Sequence, residues 1–435
     1  MKKLFLIALS TLILDGCNYF KPKQAPLAGD RISIIQHERS LSADVENAGQ
    51  QIMLPAPSPN LAWPQSGGYA NHAMHHIKVG DDLKKKWSIS IGAGTDAEER
   101  LSGEPVVANE IIYTMDAQTN INAYDVKTGA QKWHVELAPK GDDDGHINGG
   151  LAIDDGRLFI TTGFAQVISL NAATGKEVWR KSLDAPMRAA PTVRGGRLFV
   201  VTLNNKTFAL NAKTGNELWT HSGLPESASI LGAASPAVNR GIVVVPYSSG
   251  QLIALRVESG RLLWEENLST ARRTELILTL ADIRGRPIID RNRVIAMSHG
   301  GQIVSIDLRT GRRIWSRDIG GLESPWVAGD YIYAITNQAE VICISRKNGR
   351  VYWVQALPRF EDPENLEDLI VWTGPILASD RLIVAGSNGE AMSISPYSGK
   401  ILGTLEMPDR VSIPPIIANG RIFFLSDDAQ LVAYQ

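Results

Sequence analysis

Two cysteines in 435 residues are too few for a disulfide framework. Cys17 closes an apolar N-terminal run. Cys343 sits inside Glu340-Val-Ile-Cys-Ile-Ser, a strand pattern in which the thiol is a small buried hydrophobe, so no intrachain disulfide is expected. Charge of one sign is lacking too. The 44 basic and 46 acidic residues are mixed along the chain and leave a net charge of −2, with Lys84 to Lys86 the only lysine run. That balance excludes the basic stripe of a nucleic-acid binder. The apolar run from Leu4 to Leu14 falls well short of the ~20 residues a membrane-spanning helix needs. Gly-x-Ser-x-Gly elbows, phosphate loops, His-Glu-x-x-His pairs and dinucleotide glycine fingerprints are all missing. His72, His75 and His76 form a histidine cluster, but no nearby carboxylate or thiolate completes a zinc or copper set. Asp142-Asp143-Asp144-Gly145 lacks the spaced acids and distal glutamate of a calcium loop and reads as a solvated turn. No catalytic residue, cofactor or metal is therefore expected.

What the chain has is a repeat. Ala-Tyr-Asp-Val-Lys-Thr-Gly129-Ala-Gln-Lys-Trp133 recurs as Ser-Leu-Asn-Ala-Ala-Thr-Gly175-Lys-Glu-Val-Trp179, as Ala-Leu-Asn-Ala-Lys-Thr-Gly215-Asn-Glu-Leu-Trp219 and as Ser-Ile-Asp-Leu-Arg-Thr-Gly311-Arg-Arg-Ile-Trp315. Gly260/Trp264 and Gly349/Trp353 keep the spacing, whereas Gly403 stands where a tryptophan is due. The step is about 45 residues, the length of a four-stranded propeller blade. Within each copy a proline-led apolar run, a second apolar run, a run ending in Ala/Ser-x-Asp/Asn and a tryptophan run are divided by polar turns, which predicts four short antiparallel strands. Pro414 to Gln435 supplies three strands without a fourth, and Lys84-Lys85-Lys86-Trp87-Ser-Ile-Ser-Ile is a fourth strand without a blade. The two fragments predict an all-β, eight-bladed propeller closed by an N-terminal velcro strand, leaving no seam between the first and last blades. The repeated tryptophans are expected to pack between blades, each N–H finding a nearby acceptor.

Three segments follow. Residues 1–17 combine Lys2-Lys3, the short apolar run and Asp15-Gly16-Cys17, a secretory signal. Residues 18–80 lack the blade pattern, and Pro55, Pro57, Pro59 and Pro64 indicate an extended linker whose Trp63 is expected to dock on the propeller. Residues 81–435 are the propeller. The widest tryptophan step, 264 to 315, holds Leu276, Ile277 and Leu278 flanked by Arg272, Arg273, Arg284 and Arg286. This is either an arginine-rimmed partner surface or simply the longest connection between blades.

The Ala-x-Asp-x-x-Thr-Gly-x-x-x-Trp motif resembles the repeat of pyrroloquinoline-quinone (PQQ) enzymes, a family of eight-bladed quinoprotein dehydrogenases and non-enzymatic relatives. The resemblance implies the fold rather than the cofactor. The adjacent cysteine pair and long inserts typical of quinoprotein alcohol dehydrogenases are absent. The alternatives are a PQQ- and calcium-dependent alcohol or sugar dehydrogenase and a ligand-binding sensor propeller. Signal, linker, compact blades and closing strand together resemble the BamB family of outer-membrane assembly lipoproteins. Gly16-Cys17 resembles a bacterial lipobox, with Asp15 a departure from it, and so implies acylation of Cys17; Asn18 implies sorting to the outer membrane, on its periplasmic face. The resemblance further implies a non-catalytic scaffold that binds a POTRA domain of the barrel-inserting subunit BamA and aids insertion of nascent outer-membrane proteins. Two loops of the family carry that contact. Leu183-Asp-Ala-Pro-Met187-Arg188-Ala-Ala-Pro191 matches the first, implicating Met187 and Arg188. Leu280-Ala-Asp282-Ile283-Arg284-Gly-Arg286-Pro287 matches the second, implicating Asp282, Arg284 and Arg286, with arginine replacing the second acid of the family's Asp-x-Asp.

Overall fold

Each Thr-Gly turn is built by its own side chains. Asp125 Oδ1 accepts from the backbone N–H of Lys127 (3.0 Å) and Thr128 (3.1 Å), and Gly129 takes φ +73° while its N–H donates to the Asp125 carbonyl at 2.8 Å. Asn171, Asn211 and Asp307 repeat the device at the equivalent turns. The turn forces a register shift between the third and fourth strands, as at Ala123/Tyr124 and Ser169/Leu170, which aims the following tryptophan sideways toward the next blade.

The computed structural model describes residues 41–46, 50–139, 141, 147–225, 233–268 and 282–435, of which all but Leu41 belong to one compact unit, Ser42–Gln435. No helix occurs among them. Cys17, the Asp142–Asp144 run, Arg272, Arg273 and Leu276 to Leu278 lie outside the described residues. Eight four-stranded antiparallel sheets form the blades, from Val106–Ala108 onward. In blade 8 the strands Ile416–Ala418, Arg421–Leu425 and Gln430–Tyr434 are completed by Lys85–Ser90, with Trp87 opposite Ala433. The ring is closed by the strand the repeat arithmetic singled out.

Seven tryptophans lock blade to blade. Trp133 Nε1–H donates to the Ala172 carbonyl of the next blade at 3.0 Å, Trp264 to Leu308 at 2.7 Å and Trp353 to Pro396 at 3.0 Å; Trp87, Trp179, Trp219 and Trp315 do the same. The indole lies against the glycine of the next blade's Thr-Gly turn: a Cβ added at Gly311 would stand 2.5 Å from Trp264 Cβ. Gly403 is explained by its neighbour. Blade 8 takes its third and fourth strands from opposite ends of the propeller sequence and so has no Thr-Gly turn to receive an indole. A Cβ at Gly403 would meet nothing within 4 Å.

The stretch expected as a linker does more than space two parts. From Gln50 to Gly80 the chain is extended, as its prolines suggest, but it runs through the axial channel and bonds the inner edges of the blades. These edges belong to the first strands, whose inward N–H and C=O groups have no strand partner. Trp63 exchanges both backbone bonds with Val107 of blade 1, and the Pro64 carbonyl accepts from Ile153 of blade 2. The Gln65 side chain pairs both backbone groups of Val193 in blade 3. Ala70 and Asn71 serve Val238 of blade 4 and Ile289 of blade 5. Trp326 of blade 6 donates to the His75 carbonyl at 2.7 Å, Ile77 bridges Leu377 and Ser379 of blade 7, and Asn60 bridges Ile417 and Asn419 of blade 8. All eight blades are thus tied to one strap. Trp63 is buried and stacks on Trp326 with ring centroids 6.4 Å apart.

Trp264→Ala should cost ~3–5 kcal/mol in urea unfolding, the range for removing a large buried aromatic; a loss below about 1 kcal/mol would contradict the interblade lock. Trp63→Ala should cost a similar ~3–5 kcal/mol and make the strap cleavable by protease at native temperature, whereas a loose linker would show neither effect.

Candidate functional site

In five blades the residue before the proline that leads into the first strand faces a cavity on the axis, to which Ser66 of the strap also contributes. Glu104-Pro105, Ala190-Pro191, Ser235-Pro236, Arg286-Pro287 and Ser324-Pro325 share this position, and their first members line an axial cavity of about 170 Å³. Sequence reading missed Glu104 and Glu323 here. The signal was available for Glu104, since the repeat phase puts the residue beside the blade proline into the channel; Glu323 stands one residue further from its proline.

Arg286 and Glu104 form a buried ion pair at the floor of this cavity. Arg286 Nη1 also donates to Ser66 Oγ at 2.7 Å, and Glu104 Oε2 accepts from the Gly67 N–H at 2.9 Å, so the pair clamps the strap to blades 1 and 5. Glu323 accepts from the Thr373 hydroxyl at 3.1 Å. Burial pushes its carboxyl pKa up; the charges of Arg284 and Arg286 oppose this, and Glu104 adds to it. His72 lies behind the clamp with Nδ1 2.8 Å from the Pro287 carbonyl. Burial and then the charge of Arg286 hold its pKa down to about 3, so it stays neutral across the physiological range. His76 bonds the Pro55 carbonyl and the Asp380 N–H. The histidine cluster thus serves three different parts of the ring, and among the described residues no group of three or more His, Cys, Asp or Glu is placed to hold a metal.

The five residues implicated in partner binding come together, with unequal access. Arg188, from the blade 2–3 connection, and Arg284 and Arg286, from the blade 4–5 connection, line the same axial cavity although about a hundred residues apart. Arg188 and Asp282 also share a smaller cleft beside it. Met187 is wholly buried, its N–H donating to the Thr162 carbonyl at 3.2 Å, and packs with Phe159, Val193 and Leu198. Asp282 is 3% exposed and its carbonyl accepts from His299. Arg286 is taken by Glu104. Met187 and Asp282 are internal supports held away from the surface, and Arg286, itself partly exposed, is held by its pairing with Glu104. Arg188 and Arg284 are likewise partly exposed and line the cavity.

Residues 117–355 match the family model described as outer membrane protein assembly factor BamB. The BamB of Escherichia coli strain K12 is 30% identical over 347 residues, covering 79% of this chain and 86% of that protein. The chain belongs to the BamB family. Among solved structures, BamB from Moraxella catarrhalis superposes with a TM-score of 0.69 at 19% identity, covering 81% of this chain and 100% of that one. A europium-containing methanol dehydrogenase reaches a TM-score of 0.67 at 16% identity, with coverage of 86% and 89%. At these identities the structural likeness speaks to the propeller alone, and BamB and dehydrogenase propellers share it.

The raised Glu323 has a stability consequence. Its folded pKa lies above its unfolded one, so the native state holds the proton longer, and this residue's contribution to stability falls as pH rises from the ordinary carboxylate range through the raised value. Glu323→Gln should remove that decline, leaving the variant more stable than the parent at neutral pH in urea melts, with the difference vanishing in acid.

Proposed function

We propose that this chain is a non-catalytic scaffold of the outer-membrane β-barrel assembly machinery. It would bind the POTRA region of a BamA-like barrel-inserting subunit and present it to nascent outer-membrane proteins. Family membership supports the assembly role. The observation that supports the binding site is that Arg188 and Arg284, from separate interblade connections, line one axial cavity. Two guanidinium groups on a rigid rim offer a fixed pattern to acidic or carbonyl groups of a partner. Met187, Asp282 and Arg286 act beneath them by holding the loops. The cavity's acids are engaged, Glu104 by Arg286 and Gly67, and Glu323 by Thr373, which supports a scaffold rather than general acid–base chemistry. Acylation of Cys17 would tether the propeller to the periplasmic face of the outer membrane.

Charge reversal of both rim residues, Arg188→Glu with Arg284→Glu, should weaken recovery of the barrel-inserting subunit from native membranes by about tenfold while leaving the melting temperature of Arg188→Glu alone unchanged. A photo-crosslinker at position 188 should capture that subunit. Undiminished recovery by a folded double variant would overturn the site. Failure to recover any assembly subunit with the parent protein would overturn the scaffold reading, and dye reduction by the quinone- and calcium-reconstituted protein would replace it.

A further inference from the structure

Each blade presents the free edge of its outer strand to solvent, and most of these edges are guarded by charge. Lys85 and Lys86, Lys132 and Glu136, Glu177 with Arg180 and Lys181, Glu265 with Glu266, and Arg313 with Arg317 occupy five of them, and blade 3 carries a single charge, Glu217, on a strand whose Trp219 is buried. Charged side chains on an edge strand discourage a foreign strand from adding to it. Blades 6 and 7 depart. The outer strand of blade 6, Val351–Ala356, has no charge, but Asp44 pairs with both backbone groups of Val351, and the strand is largely covered. The outer strand of blade 7, Ile401–Glu406, reads Ile-Leu-Gly-Thr-Leu-Glu, and all six residues are exposed. Its single charge is at its end, and Gly403 leaves open the place an indole fills elsewhere.

Apolar exposure gathers on the same blade. Of the fifteen exposed large hydrophobic residues among those described, seven fall between 366 and 405: Leu366, Leu369, Val371, Tyr397, Ile401, Leu402 and Leu405. Scattered single residues would need no explanation, whereas this concentration marks an interaction face. Leu366 (66% exposed) and Leu369 (60%) belong to a hairpin, Phe360–Asp362 paired with Glu367–Leu369, which stands between blades 6 and 7 outside the four-strand pattern. The hairpin also carries Glu361, Asp362, Glu364, Glu367 and Asp368, and no lysine or arginine occurs from 360 to 380. The chain leaving the hairpin and the chain leaving the edge strand reach the same turn: Val371 exchanges bonds with Ser387, and Met407 donates to the Gly389 carbonyl.

We infer that blade 7 is a second docking face, which takes an extended apolar polypeptide segment by strand addition along Ile401–Glu406, with basic residues of that segment held by the acidic hairpin. The edge supplies unpaired backbone groups, the exposed Ile401, Leu402 and Leu405 supply apolar contact, and the hairpin supplies complementary charge. The acidic hairpin opposes an anionic lipid surface at this site. In ring order blade 7 stands opposite blade 3, so a segment held here leaves the Arg188–Arg284 cavity free. The inference is independent of the partner proposed for that cavity.

The test uses fluorescence anisotropy of the full chain with a labelled Lys-Lys-Val-Thr-Val-Thr-Val-Thr peptide. The decisive variant is Ile401→Glu with Leu405→Lys, which copies the Glu177 and Lys181 positions of blade 2 and so suits the fold. It should weaken binding by about tenfold with an unchanged melting temperature. Replacing the peptide's lysines by glutamates, methylating alternate peptide amides, and Leu366→Ser with Leu369→Ser should each weaken it as well. Absence of binding by the parent, equal binding of basic and acidic peptides, indifference to amide methylation, or full binding by the edge variant would each overturn the proposal. Loss of peptide binding with retained partner recovery at the Arg188 cavity is the expected pattern for the edge variant and separates the two sites.

Discussion

A ring of eight sheets has eight inner edges, and each presents backbone N–H and C=O groups to a channel too narrow for bulk water to serve evenly. Leaving them unpaired would cost roughly 1–3 kcal/mol for each buried group, enough in total to exceed the stability of an ordinary domain. The strap from Gln50 to Gly80 answers this constraint with alternating use of backbone and side chains. It pairs by backbone where it runs along a first strand, as at Trp63 and Val107, and by amide side chains where it must cross, as at Gln65 and Asn60. The rest depends on it. The Arg286–Glu104 clamp is anchored on Ser66 and Gly67, and His72 of the strap stays neutral because it is buried against blade 5 beside Arg286.

The outer parts of the blades obey a different rule. There each tryptophan is received by a glycine turn in the next blade, so the ring is a chain of identical handshakes. The one place without a receiver is the one place without a tryptophan. Two peculiarities of blade 7, Gly403 and the uncharged edge around it, sit at that joint. The closing strand from the N-terminal side restores the sheet of blade 8 but cannot restore the turn.

Most of this ring was legible in the sequence because its determinants are periodic. The Thr-Gly turn, the tryptophan after it and the incomplete last copy specify blade number, register and closure. The strap was not legible for a physical reason. It satisfies edges through backbone groups and a few amides, which demand no side-chain period, so its prolines and glycines read as a spacer. The site was legible in part. The family loops led to Arg188 and Arg284 in one cavity, but a local sequence does not say which way a loop residue turns. Met187 and Asp282 point into packing, and Arg286 is claimed by Glu104, a residue some 180 positions earlier whose role only the ring reveals.

The strap also decides how the propeller bears load. Asp44, upstream of it, is bonded to Arg317 and Val351, so the chain leaves the ring at blade 6. A pull transmitted through Asp44 would reach that clamp and then the strap that bonds the blades from within. A pull on a terminal blade could peel it from its neighbour one sheet at a time. A pull on the strap is spread over bonds to every blade at once, so the fold resists a tether as a wheel resists a load on its axle.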